Sequence, residues 1–198
     1  MALNTKLKLS NFAKDMGLKS KEVVEILKDK GFDGKSASSS LEHEEVSVIL
    51  QHYTLSSTVD DIGAIVSLIE PLEADGTLVP RGLNVIERDV EKFTILEHDG
   101  IIYGCVSLIP YPESKMAEMA CLIVNPDWQG SGEGEILLRH AENKARALGV
   151  KRLFVLTTRT SHWFVKRGFV QGTINDLPAE KQMNYNRSRN SLIFIKKL

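Results

Sequence analysis

The chain has 198 residues, and its 25 basic and 26 acidic residues give a net charge of −1 at neutral pH. An apolar fraction of 42% with so small a net charge excludes an intrinsically disordered chain. The near-neutral balance gives no whole-protein reason to expect binding to nucleic acid or to anionic membranes.

The absence of any run of about 18 apolar residues leads us to expect no membrane span. The first residues lack the apolar core of a signal peptide. Cys105 and Cys121 are too few for a disulfide framework. We therefore expect a cytoplasmic protein in a reducing compartment.

Residues 1–53 predict a small helical module with eight lysines and no arginine. Ser10, Ser20 and Ser39 each stand where a helix N-cap is favoured, and Glu42 follows Ser39 at the spacing of a capping box. Apolar residues at helical spacing follow each serine. Three short helices in about 50 residues bury little apolar surface, so such a module is marginally stable alone.

The run FAKDMGLKSKEVVEILKDKGF and the serine patch KSASSS resemble the small N-terminal module of bacterial translation initiation factor two, over residues 5–53. The resemblance does not extend to that factor's GTPase, because no G-x-x-x-x-G-K-[ST] loop occurs in the chain. The lysines admit two interpretations: contact with nucleic acid or the ribosome, or a solvated face on a module that contacts protein. We favour the second, because no arginine is available for bidentate phosphate contacts.

From residue 58 onward the pattern changes to strands alternating with helices. Thr58 can cap a helix whose apolar face extends to Leu72, and a shorter helical pattern follows at 83–90. Asp99-Gly100 joins two apolar runs as in a β-hairpin. The strands are predicted at 93–96, 101–109, 116–124, 153–157 and 192–195, and the remaining helices at 134–148 and 161–166. Hairpins combined with crossover helices predict an α/β (α+β) fold with a mixed sheet.

The segment after the 116–124 strand predicts a phosphate site. Gly130, Gly132 and Gly134 stand between that strand and a long amphipathic helix, where backbone N–H groups and the helix dipole favour a pyrophosphate. The spacing fits neither a nucleoside-triphosphatase loop nor a dinucleotide fingerprint. The motif Gln129-x-x-Gly132-x-Gly134 resembles the coenzyme A loop of the GCN5-related N-acetyltransferases. We therefore expect that fold over residues 58–198, preceded by the three-helix module.

The resemblance implies acetyl-CoA as co-substrate. The residues implied to bind it are Leu122, Ile123, Val124, Gln129, Gly130, Ser131, Gly132, Glu133, Gly134 and Glu135. Five scattered histidines show no metal-ligand spacing, so we expect no metal.

Four further segments narrow the resemblance: FTILEHDG, AEMACLIVNPDWQ, KRLFVLTTRTSHWFVKRGF and LPAEKQMNYNRSRNS. They are similar to the acetyltransferase domain of N-acetylglutamate synthase. That family transfers acetyl from acetyl-CoA to the α-amine of glutamate, at the start of arginine biosynthesis. The resemblance implies an enzyme whose partners are these two small molecules. The family's usual first strand, of the type I-R-x-A, is missing here, and Leu55 can supply only a weak substitute.

Catalytic roles for Glu118 and Thr157 are also implied by this resemblance. Glu118 would act as general base, and it is the one acid in the apolar stretch 116–124. Thr157 would orient the amine or assist the leaving thiolate, with a plain β-branched strand residue as the alternative. Backbone amides of 122–124 would bind the thioester carbonyl and the pantetheine arm.

Glutamate carries two carboxylates, for which arginine is the best-matched partner. By resemblance, Arg81 would bind the α-carboxylate, and Arg189 with Ser191 the side-chain carboxylate; ordinary surface arginines are the alternative. The competing hypothesis is a translation-associated acetyltransferase or binding protein that acts on a protein amine or a ribosomal partner. The sequence leaves open whether the acceptor is glutamate or glutamine, and whether the chain forms a homodimer.

Overall fold

The computed structural model describes residues 7–130 and 132–198. The helices are α1 Leu9–Asp15, α2 Ser20–Asp29, α3 His43–Tyr53, α4 Ile62–Ala74, α5 Leu83–Asp89, α6 Glu133–Ala147, α7 Ser161–Val165 and α8 Ala179–Met183. The strands are β1 Leu55–Ser56, β2 Phe93–His98, β3 Ile101–Tyr111, β4 Met116–Val124, β5 Arg152–Thr157, β6 Val170–Gly172 and β7 Leu192–Lys197.

All seven strands belong to one sheet, in the order β1-β2-β3-β4-β5-β7-β6. Every neighbouring pair is antiparallel except β4 and β5, which are parallel and are connected through α6. A parallel pair needs a crossover, and α6 is long and amphipathic enough to cover the sheet between the two strands. The predicted mixed α/β architecture is confirmed.

The two faces of the sheet are covered differently. On one face, Phe12 of α1, Ile49 of α3 and Leu137 of α6 belong to a single buried apolar cluster with the strands. On the other face, Ile65 of α4 packs with Ile95 of β2 in a separate cluster. The N-terminal helices therefore share a core with α6 and the sheet, and they gain from that contact the burial that they lack by themselves.

The predicted serine caps of the first three helices are wrong by one to three residues. Helix α1 is capped by Lys8, and the N–H groups of Leu9 and Ser10 donate to carbonyl groups of the serine patch, at 2.8 and 3.0 Å. Helix α3 has its capping box at Glu42 and Glu45. At α1, backbone carbonyls of the 35–40 loop thus take the place of the expected serine side chain.

A short edge strand stands in for the missing first strand, as predicted. Leu55 and Ser56 pair antiparallel with Ile95 and Thr94 of β2. The adjacent Ser57 is buried, and its hydroxyl donates to the carbonyl oxygen of Val90 at 2.6 Å. A second carbonyl oxygen, that of Phe93, lies 3.2 Å from the same hydroxyl, so two strand residues and the Ser57 side chain fix the chain as it passes from α3 onto the sheet.

Candidate active site

Strands β4 and β5 begin as neighbours and then separate, which leaves a cleft in the sheet. Their pairing ends at Glu118 opposite Phe154, and none is found beyond that point in the described residues. A β-bulge follows, because Cys121 and Leu122 of β4 face a single residue of β3, and Cys121 has a φ of 50°. Bulges bend a strand and increase its twist, which accounts for the divergence. The backbone of 119–124 is left without a strand partner on the side of β5.

The glycine loop follows β4 at the mouth of this cleft. The side-chain amide of Gln129 donates to the carbonyl oxygen of Val124 at 2.7 Å and closes the loop. Gly130 and Gly132 have φ values of 105° and 108°, which residues with a side chain rarely adopt. Within 7–130 and 132–198, the amide N–H groups of Gly130, Gly132 and Gly134 have no hydrogen-bond partner. Three free donors at the start of α6 fit the predicted pyrophosphate cradle.

A cavity of about 550 Å³ lies between the loop, the cleft and α7. It is lined by most of the predicted coenzyme-binding residues, namely Leu122, Val124, Gln129, Gly130, Gly132, Glu133, Gly134 and Glu135. The side chain of Ile123 lies on the opposite face of the sheet, in the α4 cluster. Ser131, which was also predicted to bind the coenzyme, lies outside the described residues.

The carboxylate of Glu135 is buried and is held by two arginines. Arg139 donates to it at 2.9 Å and Arg167 at 2.6 Å, and the Arg167 guanidinium also lies 3.6 Å from the ring centroid of Trp163. The N–H of Glu135 donates to the carbonyl oxygen of Gly132 at 2.9 Å. Both polar groups are thus engaged inside the protein, and the two arginines offset the negative charge beside the cradle.

A second cavity, of about 590 Å³, lies on the other side of the cleft. It brings together all five predicted catalytic and substrate-binding residues, Arg81, Glu118, Thr157, Arg189 and Ser191. Leu122, Thr160 and Phe164 line both cavities. The two spaces therefore meet where β4 and β5 separate.

Glu118 is 5% exposed and has two polar neighbours in this cavity. The ammonium group of Lys181 donates to its Oε2 atom at 2.6 Å, and the hydroxyl of Tyr111 donates to the same atom at 3.5 Å. Burial, followed by the negative charge of Glu118, raises the pKa of the Tyr111 phenol. Neither neighbour was predicted from the sequence. Lys181 lies on α8, 63 positions from Glu118, and no motif links the two; Tyr111 ends the neighbouring strand β3, and the sequence gives no sign of which side chain it faces.

The Thr157 hydroxyl caps the turn after β5. It accepts the N–H groups of Arg159 and Thr160, at 3.3 and 3.1 Å, and bonds the Thr160 hydroxyl at 2.9 Å. This gives the residue a structural function within the chain. The catalytic role implied by resemblance stays a prediction.

Some cations that line this second cavity form ion pairs and others, among the described residues, do not. Arg88 and Lys92 are both paired with Asp89, at 2.9 and 2.7 Å, and together they lower the pKa of that carboxyl to about 2. In the part of the chain that the structure describes, the guanidinium groups of Arg81 and Arg189 form no ion pair.

Arg189 is held in place while leaving part of its guanidinium group free. One Nη atom donates to the carbonyl oxygen of Thr77, whereas its Nε atom is buried without a partner among the described residues. The hydroxyl oxygen of Thr77 is buried and unpartnered in the same way. Buried polar atoms are normally hydrogen-bonded, so these groups suit a polar ligand.

Cys121 lines the second cavity but does not suit a nucleophile. It is 4% exposed, and burial raises the pKa of its thiol. The thiolate form is therefore scarce at neutral pH.

Among residues 7–130 and 132–198, no group of three or more potential metal ligands is found, and no helix is long and apolar enough to cross a membrane.

The class of protein follows from how the two cavities are joined. An extended arm whose phosphates rest on the free amides can run along the unpaired edge of β4 into the cleft. A thioester at the end of that arm would meet an amine held beside Glu118. This geometry suits transfer of an acyl group from coenzyme A to an amine.

Sequence comparisons agree with this class. The model of the "Acetyltransferase (GNAT) family" matches residues 67–169, and the chain belongs to this family. The model of "Translation initiation factor IF-2, N-terminal region" matches residues 4–56, in agreement with the resemblance noted for the first three helices.

Individual relatives are similar over most of this chain. An amino-acid acetyltransferase of Ralstonia nicotianae is 56% identical over 160 residues, which are 79% of this chain and 36% of that protein. One from Serratia proteamaculans is 48% identical over 139 residues, 70% of this chain and 32% of that protein. The chain thus spans about a third of the length of the curated relatives it matches.

Solved structures show the same similarity in three dimensions. N-acetylglutamate synthase from Neisseria gonorrhoeae, complexed with coenzyme A and N-acetyl-glutamate, has a TM-score of 0.71 and 42% identity, over 73% of this chain and 34% of that chain. A 23% identical protein from Mycobacterium tuberculosis shares the fold with a TM-score of 0.63, over 73% of this chain and 98% of that chain.

Proposed function

We propose that this chain is an acetyl-CoA-dependent amino-acid N-acetyltransferase that acetylates the α-amine of L-glutamate. The observation that carries the proposal is the second cavity, where Arg81 and Arg189 form no ion pair with any described residue and line the same space as the buried Glu118. Two guanidinium groups match the two carboxylates of glutamate. The Ralstonia relative, an amino-acid acetyltransferase, and the ligands of the Neisseria structure support the same assignment.

The thioester supplies an activated acetyl group, and the chain supplies binding, orientation and proton transfer. Lys181 holds one oxygen of Glu118, and the other oxygen has no hydrogen bond among the described residues. That second oxygen accepts a proton from the substrate ammonium, directly or through one water, so that the nitrogen lone pair can attack the carbonyl carbon. The carboxylate is ready for this step because it is fixed in position before substrate arrives.

Groups in the cleft stabilise the negative charge that develops on the carbonyl oxygen and on the sulfur. Amide N–H groups of the 122–124 segment donate to the carbonyl oxygen as negative charge develops there, and donors fixed in a strand need no reorganisation. As the carbon–sulfur bond breaks, the hydroxyl of Thr157 donates a hydrogen bond to the departing thiolate sulfur. The nitrogen loses its second proton, which neutralises the thiolate, so the products are the amide and free coenzyme A.

The organisation of the chain forms part of the same proposal. We divide it into a helical module at 1–53 and an acetyltransferase domain at 58–198, which the family matches at 4–56 and 67–169 support. We assign the enzyme to the cytoplasm, in keeping with the two free cysteines. The module acts within the enzyme in this scheme, and contact with nucleic acid or the ribosome through residues 1–53 is the alternative that we do not favour.

The test is release of free coenzyme A from acetyl-CoA with glutamate, with glutamine and with a lysine-containing peptide. Wild type should turn over glutamate, and Arg189→Ala should raise the KM for glutamate by about 10- to 150-fold, as expected for a lost charged hydrogen bond. Arg187→Ala is the matched control, because Arg187 is exposed and does not line the cavity. Turnover of the peptide alone would favour the protein-amine hypothesis and contradict this assignment.

A further inference from the structure

The end of α1 lies directly on the glycine loop. A Cβ atom placed on Gly132 would come within 2.4 Å of the carbonyl oxygen of Met16 and within 3.0 Å of the amide nitrogen of Gly17. Such distances mean that the two backbones touch with no room for a side chain between them. The N-terminal module therefore forms one wall of the coenzyme cavity.

This wall is held in place by buried contacts behind it. Phe12 of α1 and Met16, which follows that helix directly, are at most 1% exposed and belong to the same apolar cluster as Leu137 of α6. At the other end of the module, the Thr54 hydroxyl and the Nδ1 atom of His140 on α6 are 2.8 Å apart. Because α6 begins in the glycine loop, the module and the loop are fixed to one helix.

The module brings a free cation to the cavity. Lys14, Asp15 and Gly17 line the space together with the glycine loop. Asp15 lies 3.9 Å from the guanidinium of Arg139. Lys14 is exposed, and across 7–130 and 132–198 its ammonium group forms no ion pair or hydrogen bond.

Among the described residues, Arg167 is the other cation that lines this cavity, and it is already engaged. Its guanidinium is bound to the buried carboxylate of Glu135, as is that of Arg139, which does not line the cavity. Coenzyme A carries a pyrophosphate and a ribose 3′-phosphate, which are more negative charges than three amide donors can offset. An ammonium group on a flexible stem is well suited to bind phosphate oxygens as a point charge.

We propose that residues 14–17 of the N-terminal module are part of the coenzyme A site and that Lys14 binds a phosphate of the coenzyme. The proposal rests on the proposed function to the extent that coenzyme A is the ligand of this cavity. Residues 14–17 lie outside the acetyltransferase family match at 67–169, so the proposal adds a part of the N-terminal module to the binding site.

The experiment is calorimetric titration of the full chain with coenzyme A and with dephospho-coenzyme A. Lys14→Ala should raise the Kd for coenzyme A by about two- to fivefold, the range of an accessible ion pair, and should make the Kd less sensitive to salt. Lys28→Ala is the matched control, since Lys28 is exposed on α2 and does not line the cavity. Both variants should melt like the wild type.

The outcomes separate the two proposals. A Lys14→Ala protein that binds coenzyme A as tightly as the wild type, or more tightly, overturns the inference and leaves the proposed function standing. A wild type that binds no coenzyme A overturns the proposed function and the inference with it. A loss seen with coenzyme A but not with dephospho-coenzyme A assigns Lys14 to the 3′-phosphate, and a loss with both assigns it to the pyrophosphate.

Discussion

Lowering the pH from 8 to 5 should destabilise the chain through His140, where the N-terminal module meets α6. Burial, followed by the positive charge of Lys144, lowers the pKa of His140 from 6.5 to about 4. The unfolded chain therefore binds a proton near pH 6.5, whereas the folded chain resists it. The resulting stability is fully present above pH 6.5 and is lost as the pH falls toward 4.

The magnitude follows from linkage. Each unit of pKa difference is worth about 1.4 kcal/mol, so the whole shift corresponds to roughly 3 kcal/mol once the pH is below 4. At pH 5 the folded histidine is still mostly neutral, and about 2 kcal/mol of that amount is lost. This is a large fraction of the stability of a domain of ordinary size.

The assay is urea unfolding at pH 8 and pH 5, for wild type and for His140→Gln. Carboxylates that titrate in this range affect both proteins and cancel in the comparison. The wild type should lose about 2 kcal/mol more than His140→Gln between the two pH values. His52→Gln, which changes an exposed histidine on α3, controls for loss of an imidazole. An equal loss in wild type and His140→Gln would refute the argument.

Three further substitutions probe the packing around the site. Gly132→Ala should lower the free energy of unfolding by about 1–3 kcal/mol or more, because a φ of 108° is strained for alanine and the new Cβ would clash with the end of α1. A lower thermal midpoint would report this loss. Lys181→Met should cost roughly 3 kcal/mol in urea unfolding by leaving the buried Glu118 unpaired, and adding Glu118→Gln should recover most of the loss. Leu137→Ala should cost about 2–5 kcal/mol, because the side chain is fully buried in the shared cluster, whereas Leu148→Ala, at 58% exposure, should change stability little.

The features that sequence reasoning predicted well are those encoded locally. The glycine loop is a contiguous run, and the structure places it between β4 and α6 as the sequence predicts, while its role in binding the coenzyme stays a prediction. Arg81, Glu118 and Arg189 were placed by resemblance, and they do line one cavity. Strand β4 was predicted at its observed bounds because nine mostly apolar residues lie between a turn and the loop.

The features that were missed depend on contacts between distant segments. Strand β6 and helix α8 have only three and five residues, too short for periodicity to reveal them. The pairing of Lys181 with Glu118 joins residues 63 positions apart. The contact of Met16 with Gly132 spans the whole distance from the module to the loop, and neither segment shows it locally.

The apolar cluster that the first three helices share with α6 crosses the boundary between the two family matches. By descent the chain divides between an initiation-factor-like segment at 4–56 and an acetyltransferase segment at 67–169. By packing it does not divide there, because helices from both segments bury their side chains in one cluster. A fragment that begins after residue 56 would expose to water the apolar side chains of α6 that the first three helices cover. The segments matched by the two family models therefore differ from the unit that packs together. Local unfolding of the first three helices would disturb the glycine loop at the start of α6.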